Sequence, residues 1–135
     1  MWKTIEHTAD AGFEITADSL EVLFLQAAEA LYSLCSDESP PPESAGGKTE
    51  HFEIDAVDLE ELVVSWINEL LFFLETRETF FLPTAVRISE EPLSLYAEGV
   101  LFRPPKVRIP VKSATYGGLV IRNIPIPFLR IFLDM

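Results

Sequence analysis

An Asp followed three residues later by a Glu, set against an apolar run of helical period, occurs twice in this chain. Asp18-Ser19-Leu20-Glu21 leads into Leu20, Leu23, Phe24, Ala27, Ala28, Leu31, Tyr32 and Leu34. Asp58-Leu59-Glu60-Glu61 leads into Leu59, Leu62, Val63, Trp66, Ile67, Leu70, Leu71 and Leu74. In such a capping box the first side chain takes an orphan N–H of the first helical turn, and the Glu reaches back to the cap. The pattern predicts one helix capped by Asp18 and ending near Cys35, and a second capped by Asp58. Ala17 with Val22, and Val57 with Leu62, are the expected hydrophobic staples. Each helix has one wide apolar face, so each needs a partner surface to cover it.

The remaining segments read as strands. Thr4 to Asp10 and Phe13 to Ala17 flank Ala11-Gly12, with Phe13 and Ile15 alternating with Glu14 and Thr16. His51, Glu53 and Asp55 alternate with Phe52 and Ile54. Ala85 to Ser89 and Leu93 to Phe102 flank Glu90-Glu91-Pro92, a hairpin signal. Val107, Ile109 and Val111 alternate with Arg108 and Lys112, and Pro110 points to an edge or a bulge. Tyr116-Gly117-Gly118-Leu119 is a turn into Leu119 to Asn123, and Phe128 to Leu133 is the last strand. Ser36 to Lys48, with Pro40 to Pro42 and Gly46-Gly47, reads as a surface loop. The expected fold is α+β, over positions 1–135 as a single domain. Two amphipathic helices pack on a curved, mainly antiparallel sheet or partly closed barrel, with the N- and C-terminal strands adjacent. Trp66, Phe72 and Phe73 are expected in the core.

The 135 residues carry 22 acidic and 10 basic side chains, a net charge of −12. That charge repels phosphate backbones, so direct nucleic-acid binding is not expected. A basic protein partner or a cation matches it, and solubility alone also accounts for it. Apolar runs such as Leu70 to Leu74 are too short to cross a bilayer, and no signal-peptide core follows Lys3. A lone Cys35 leaves no internal disulfide and reads as a buried, inert thiol. A cytoplasmic protein is expected. The phosphate-cradling and dinucleotide-binding glycine patterns and a cysteine-rich zinc pattern are all missing from the sequence.

Chemistry concentrates at the two ends of the chain. Glu6-His7-Thr8-Ala9-Asp10-Ala11-Gly12-Phe13 combines polar donors, a carboxylate and a backbone-permissive Gly beside Asp10. Asp134 follows the apolar run Phe128 to Leu133, next to the main-chain carboxylate of Met135. If these ends meet, oxygen ligands converge that suit a hard cation such as Ca²⁺ or Mg²⁺. The alternative leaves Asp10 capping a turn and Asp134 ending a strand. His7 orients Asp10 or satisfies backbone groups at a strand end. Lys112-Ser113-Ala114-Thr115-Tyr116 offers a cation and two hydroxyls to a phosphate, or is a strand with a solvated Lys.

His7-Thr8-Ala9-Asp10-Ala11-Gly12, the helix from Asp18 to Leu34, Trp66-Ile67-Asn68-Glu69-Leu70-Leu71, Lys112 to Tyr116 and Phe132-Leu133-Asp134 together resemble the archease family. The resemblance runs in order over nearly the whole chain. It implies a protein cofactor, itself no enzyme, of the RtcB-type RNA ligase that acts in tRNA splicing or RNA repair. Such a cofactor promotes ligase guanylation and multiple turnover. It further implies a divalent metal site, Ca or Mg, at Asp10 and Asp134 with Met135 as a third ligand. His7 and Thr8 would shape the tip or bind the partner, with Lys112 and Thr115 as weaker candidates. The resemblance departs at Gly117, where family members commonly have His, and in the Pro-rich segment Asn123-Ile124-Pro125-Ile126-Pro127. The rival readings are a free-standing metal-dependent hydrolase using the same carboxylates, and a general chaperone.

Overall fold

In the computed structural model, residues 1–7, 10–36, 47–104 and 111–134 are described. Among these residues, two helices and eight strands follow in the order β1 (Trp2–His7), β2 (Asp10–Thr16), α1 (Leu20–Cys35), β3 (Lys48–Asp55), α2 (Leu59–Arg77), β4 (Phe80–Glu90), β5 (Leu93–Phe102), β6 (Ser113–Ala114), β7 (Val120–Arg122) and β8 (Phe128–Asp134). The strands form two antiparallel sheets where one curved sheet was expected: β1-β2-β8-β6 with β7 also on β8, and β3-β5-β4. Neither closes into a barrel. The C-terminal strand lies beside the N-terminal hairpin as expected, but its neighbour is β2, with β1 outside.

Both helices begin on side-chain caps, and at the second the Glu reaches back to Val57, one residue before the cap, rather than to the cap itself. Asp58 accepts from the Glu61 N–H at 2.8 Å, and the Glu61 carboxylate accepts from the Val57 N–H at 3.2 Å. At α1 the cap is Ser19, whose hydroxyl accepts from the Val22 N–H at 3.1 Å, and Asp18 lies one residue outside. A box on Ser19 would need its Glu at position 22, where Val stands, so α1 has a cap without the reciprocal bond. Neither staple forms as expected: Val57 is 84 % exposed, and the one-residue shift puts Leu23, rather than Val22, against the core.

The core sits where both helices meet both sheets. Phe13 and Ile15 of β2, Leu129, Ile131 and Leu133 of β8, and Leu95 and Ala97 of β5 are buried with the apolar faces of α1 and α2. Trp66 and Phe73 are core residues, whereas Phe72 is 51 % exposed. It falls on the α2 flank that turns away from both sheets.

The hairpin expected around Glu91-Pro92 is β4–β5, in register from Glu90 with Leu93, and β4 runs back past a register shift at Pro83/Ala85 to Phe80. The turn at Tyr116 to Leu119 is closed by the Leu119 N–H on the Tyr116 carbonyl at 3.2 Å, with Gly118 at φ 73. That is the third position of a type II turn, which favours Gly. Of the loop expected from Ser36 to Lys48, residues 37–46 lie outside the described residues, as does most of the strand expected from Val107, while Ser36 caps α1 and Lys48 already belongs to β3. Val111 is buried.

Cys35 ends α1 in the core, and burial pushes its thiol up from 9.0 to about 11. Burial favours the neutral thiol, so this contribution to stability is intact below the unfolded value and is lost as pH rises through about 11. The native protein should therefore not react with a thiol reagent at pH 8. One equivalent should react after denaturation, and rapid native labelling would contradict the burial.

Candidate functional site

The β2 and β8 strands run antiparallel with Asp10 directly opposite Asp134. The pairing extends to both sides, since His7 lies opposite Asp10 and Ser113 opposite Asp134. One end of the first sheet therefore carries a row in the order His7, Asp10, Asp134, Ser113. The sequence puts 123 residues between its two carboxylate residues; the sheet makes them cross-strand neighbours. Asp10 opens β2, where the sequence had suggested the end of β1. Thr8 and Met135 lie outside the described residues, as do the side chains of His7 and Asp10.

Backbone bonds fix the far side of the row. The Lys112 N–H donates to the Asp134 carbonyl at 2.7 Å, and the Thr115 N–H donates to the Phe132 carbonyl at 3.2 Å. The Thr115 hydroxyl donates to that same carbonyl at 3.1 Å. Thr115 thus fastens β8 and has its hydroxyl engaged. Lys112 contributes its main chain, and its side chain is exposed. Gly117 is exposed in the following turn, where an added Cβ would meet Thr115 Oγ1 at 4.0 Å, so a larger residue fits there.

Asn68 is the contributor that sequence reasoning passed over. It interrupts the apolar face of α2, and its side-chain carbonyl accepts from the Ala114 N–H at 2.9 Å. A polar side chain in the apolar stripe is there because β6, two residues long, cannot satisfy its own backbone. Asn68→Ala leaves the partly buried Ala114 N–H without this partner, at a cost of about 1–3 kcal/mol. The expected result is faster amide exchange at Ala114 and Ser113 with α2 exchange unchanged. Unchanged exchange at both would remove the proposed link.

Gly12 has a structural use besides the close ligand approach that its position next to Asp10 suggests. A Cβ there would run into the Ile131 carbonyl oxygen, with Ile131 C and Phe132 Cα each at 3.2 Å. The space a side chain would need is taken by the backbone of β8, and this close approach holds Asp134 opposite Asp10.

The row supplies hard oxygen donors, the chemistry that suits Ca²⁺ or Mg²⁺. Asp10 and Asp134 are of a residue type that suits such a cation, and among the described residues no group of three or more His, Cys, Asp or Glu is placed to hold a metal ion.

Two helices folded against a pair of antiparallel sheets, with Asp10 and Asp134 in register on the second and last strands, define an α+β protein. The model of the Archease protein family (MTH1598/TM1083) matches residues 2–134. Protein archease of Methanopyrus kandleri is 43% identical over 131 residues, covering 90% of this chain and 89% of that protein. Protein archease of Sulfurisphaera tokodaii is 33% identical, covering 87% and 86%. The solution structure of Methanobacterium thermoautotrophicum protein 1598 superposes with a TM-score of 0.73 at 26% identity, covering 99% of this chain and 98% of that one. The chain belongs to the archease family. No helix among the described residues is long and apolar enough to cross a membrane.

Proposed function

We propose that this chain is an accessory protein, not itself an enzyme, that activates an RtcB-type RNA ligase in tRNA splicing or RNA repair. Its acidic tip promotes ligase guanylation and multiple turnover. The observation that carries the reading is the register of Asp10 against Asp134 in a member of the archease family. A tip of this kind suits insertion into a cleft where a nucleotide phosphate is handled, because a cation held there offsets phosphate charge. Asp10 and Asp134 would hold the cation, with the Met135 main chain as a third ligand. His7 and Thr8 would shape the hairpin end, and Lys112 and Thr115 its flank. When bound, the cation supplies charge neutralisation next to the nucleotide.

The residues described here place the tip and keep it in register. Asn68 and Thr115 tie β6 and its following turn to α2 and β8, and Gly12 lets β8 close on β2. A multiple-turnover RNA-joining assay with the ligase, with and without this protein, tests the proposal. Many joined ends per ligase with the protein, and about one without it, is the expected result. Turnover that does not change on adding the protein refutes the assignment.

A further inference from the structure

The alternation that sends Phe13, Ile15, Leu129, Ile131 and Leu133 into the core sends the intervening residues of β2 and β8 to the opposite face of the first sheet. Along that face, at the end away from the acidic row, Lys3 pairs in register with Glu14, and Glu14 with Arg130. The Glu14 carboxylate accepts from Arg130 Nε at 2.6 Å and meets Lys3 Nζ at 3.3 Å. The Arg130 hydrogen bond, and after it Lys3, hold that carboxyl below its ordinary range.

One strand further on, Arg122 lies opposite Phe128 with its guanidinium 4.7 Å from the ring centroid, and Arg130 lies 6.0 Å from the same ring. Among the described residues no carboxylate pairs with Arg122, and it is exposed. On a chain of net charge −12, this end of the face carries three cationic side chains against one carboxylate. Both helices pack on the other face.

We propose that this sheet face is the surface by which the protein docks, and that its basic end receives carboxylates of a protein partner. This rests on the accessory role proposed above, because the face is continuous with the acidic row. Arg130 lies four residues from Asp134 along β8, roughly 13 Å at the rise of an antiparallel strand. Arg122 is the anchor. Stacking on Phe128 holds its guanidinium in place while leaving the donor edge open to a carboxylate, an arrangement that limits the side-chain entropy lost on binding. Arginine and aromatic residues together are also the composition of energetic centres in protein interfaces. The partner is a protein surface and not an RNA, because the chain's overall charge opposes a polyanion at long range. The face is thus bipolar, acidic at the tip and basic at the far end, and admits a complementary partner in one orientation.

The test uses Arg122→Glu, with Arg87→Glu as its control. Arg87 stacks on Tyr96 at 4.7 Å in the other sheet, so the charge change and local geometry are alike. Ligase titrations read the concentration of this protein giving half-maximal guanylation, and the maximum reached. Arg122→Glu is expected to raise that concentration about tenfold with the maximum unchanged, and Arg87→Glu to leave it within about twofold. Adding salt should shrink the difference between wild type and Arg122→Glu. Equal behaviour of the two variants, while the wild type stimulates, overturns the docking surface and spares the accessory role. A wild type that does not stimulate removes both. An RNA oligonucleotide bound by the isolated wild type and lost in Arg122→Glu would assign the basic end to nucleic acid and overturn the protein partner.

Discussion

Trp66→Ala is expected to be the most destabilising single substitution argued from this structure, by about 3–5 kcal/mol. The indole is fully buried and joins four elements. Its Nε1–H donates to the Phe24 carbonyl of α1 at 3.0 Å, and its ring lies 6.1 Å from Phe24, 5.8 Å from Phe52 of β3 and 6.5 Å from Phe81 of β4. Phe52 and Phe81 contact each other at 4.8 Å, and Phe73 stacks on Phe81 at 5.7 Å. Removing the indole therefore opens a cavity that no single neighbour can fill by a rotamer change. Domains of this kind keep roughly 5–15 kcal/mol in total, so the loss is a large fraction of what is there. A thermal midpoint lowered by roughly 10–20 °C is the expected result. Phe72→Ala, on the exposed flank of the same helix, should fall within about 0.5 kcal/mol of wild type. Comparable losses from the two would mean that the aromatic cluster is not the centre of the core.

Gly12→Ala is the second large effect, and it connects the core to the tip. The atoms a Cβ would meet are the main chain of Ile131 and Phe132, which cannot rotate out of the way as a side chain can. β8 must shift, at an expected cost of about 1–3 kcal/mol, and Asp134 moves with it. Gly99→Ala provides the comparison. Its Cβ would meet the Leu82 carbonyl and the Phe81 ring, the latter at 2.7 Å, in the sheet that does not carry the acidic row. Both variants should lose stability. Only Gly12→Ala should also lose ligase stimulation when assayed well below its melting temperature. Equal retention of stimulation by both would separate Gly12 from the tip.

How far the sequence foretold this arrangement depended on the range of the interaction. The helices were legible because a cap and an apolar period lie within a few residues of one another. Asp58 capped as expected, while Ser19 displaced Asp18 because both residue types cap well and stand side by side. The β4–β5 hairpin was legible from its turn. The division into two sheets was not, since strand order is a matter of non-local pairing that alternation does not encode. Gly12 was read as a bend near a ligand because the strand that needs its missing side chain lies some 120 positions away. Asn68 left no signal of its role, because its partner at Ala114 lies 46 positions away on a strand only two residues long. Residue type left open whether Asp10 and Asp134 meet or merely cap a turn and end a strand, and the register places them opposite each other.

The central claim is that this register serves ligase activation. The most direct measurement is the rate of ligase guanylation by GTP in the presence of Asp10→Asn or Asp134→Asn protein. Each variant should first be shown to fold, by a cooperative melt close to that of wild type. The expected result is folded proteins that stimulate at least about a hundredfold less than wild type, the scale of a lost electrostatic contributor at a reacting phosphate. Wild-type stimulation by both folded variants would contradict it.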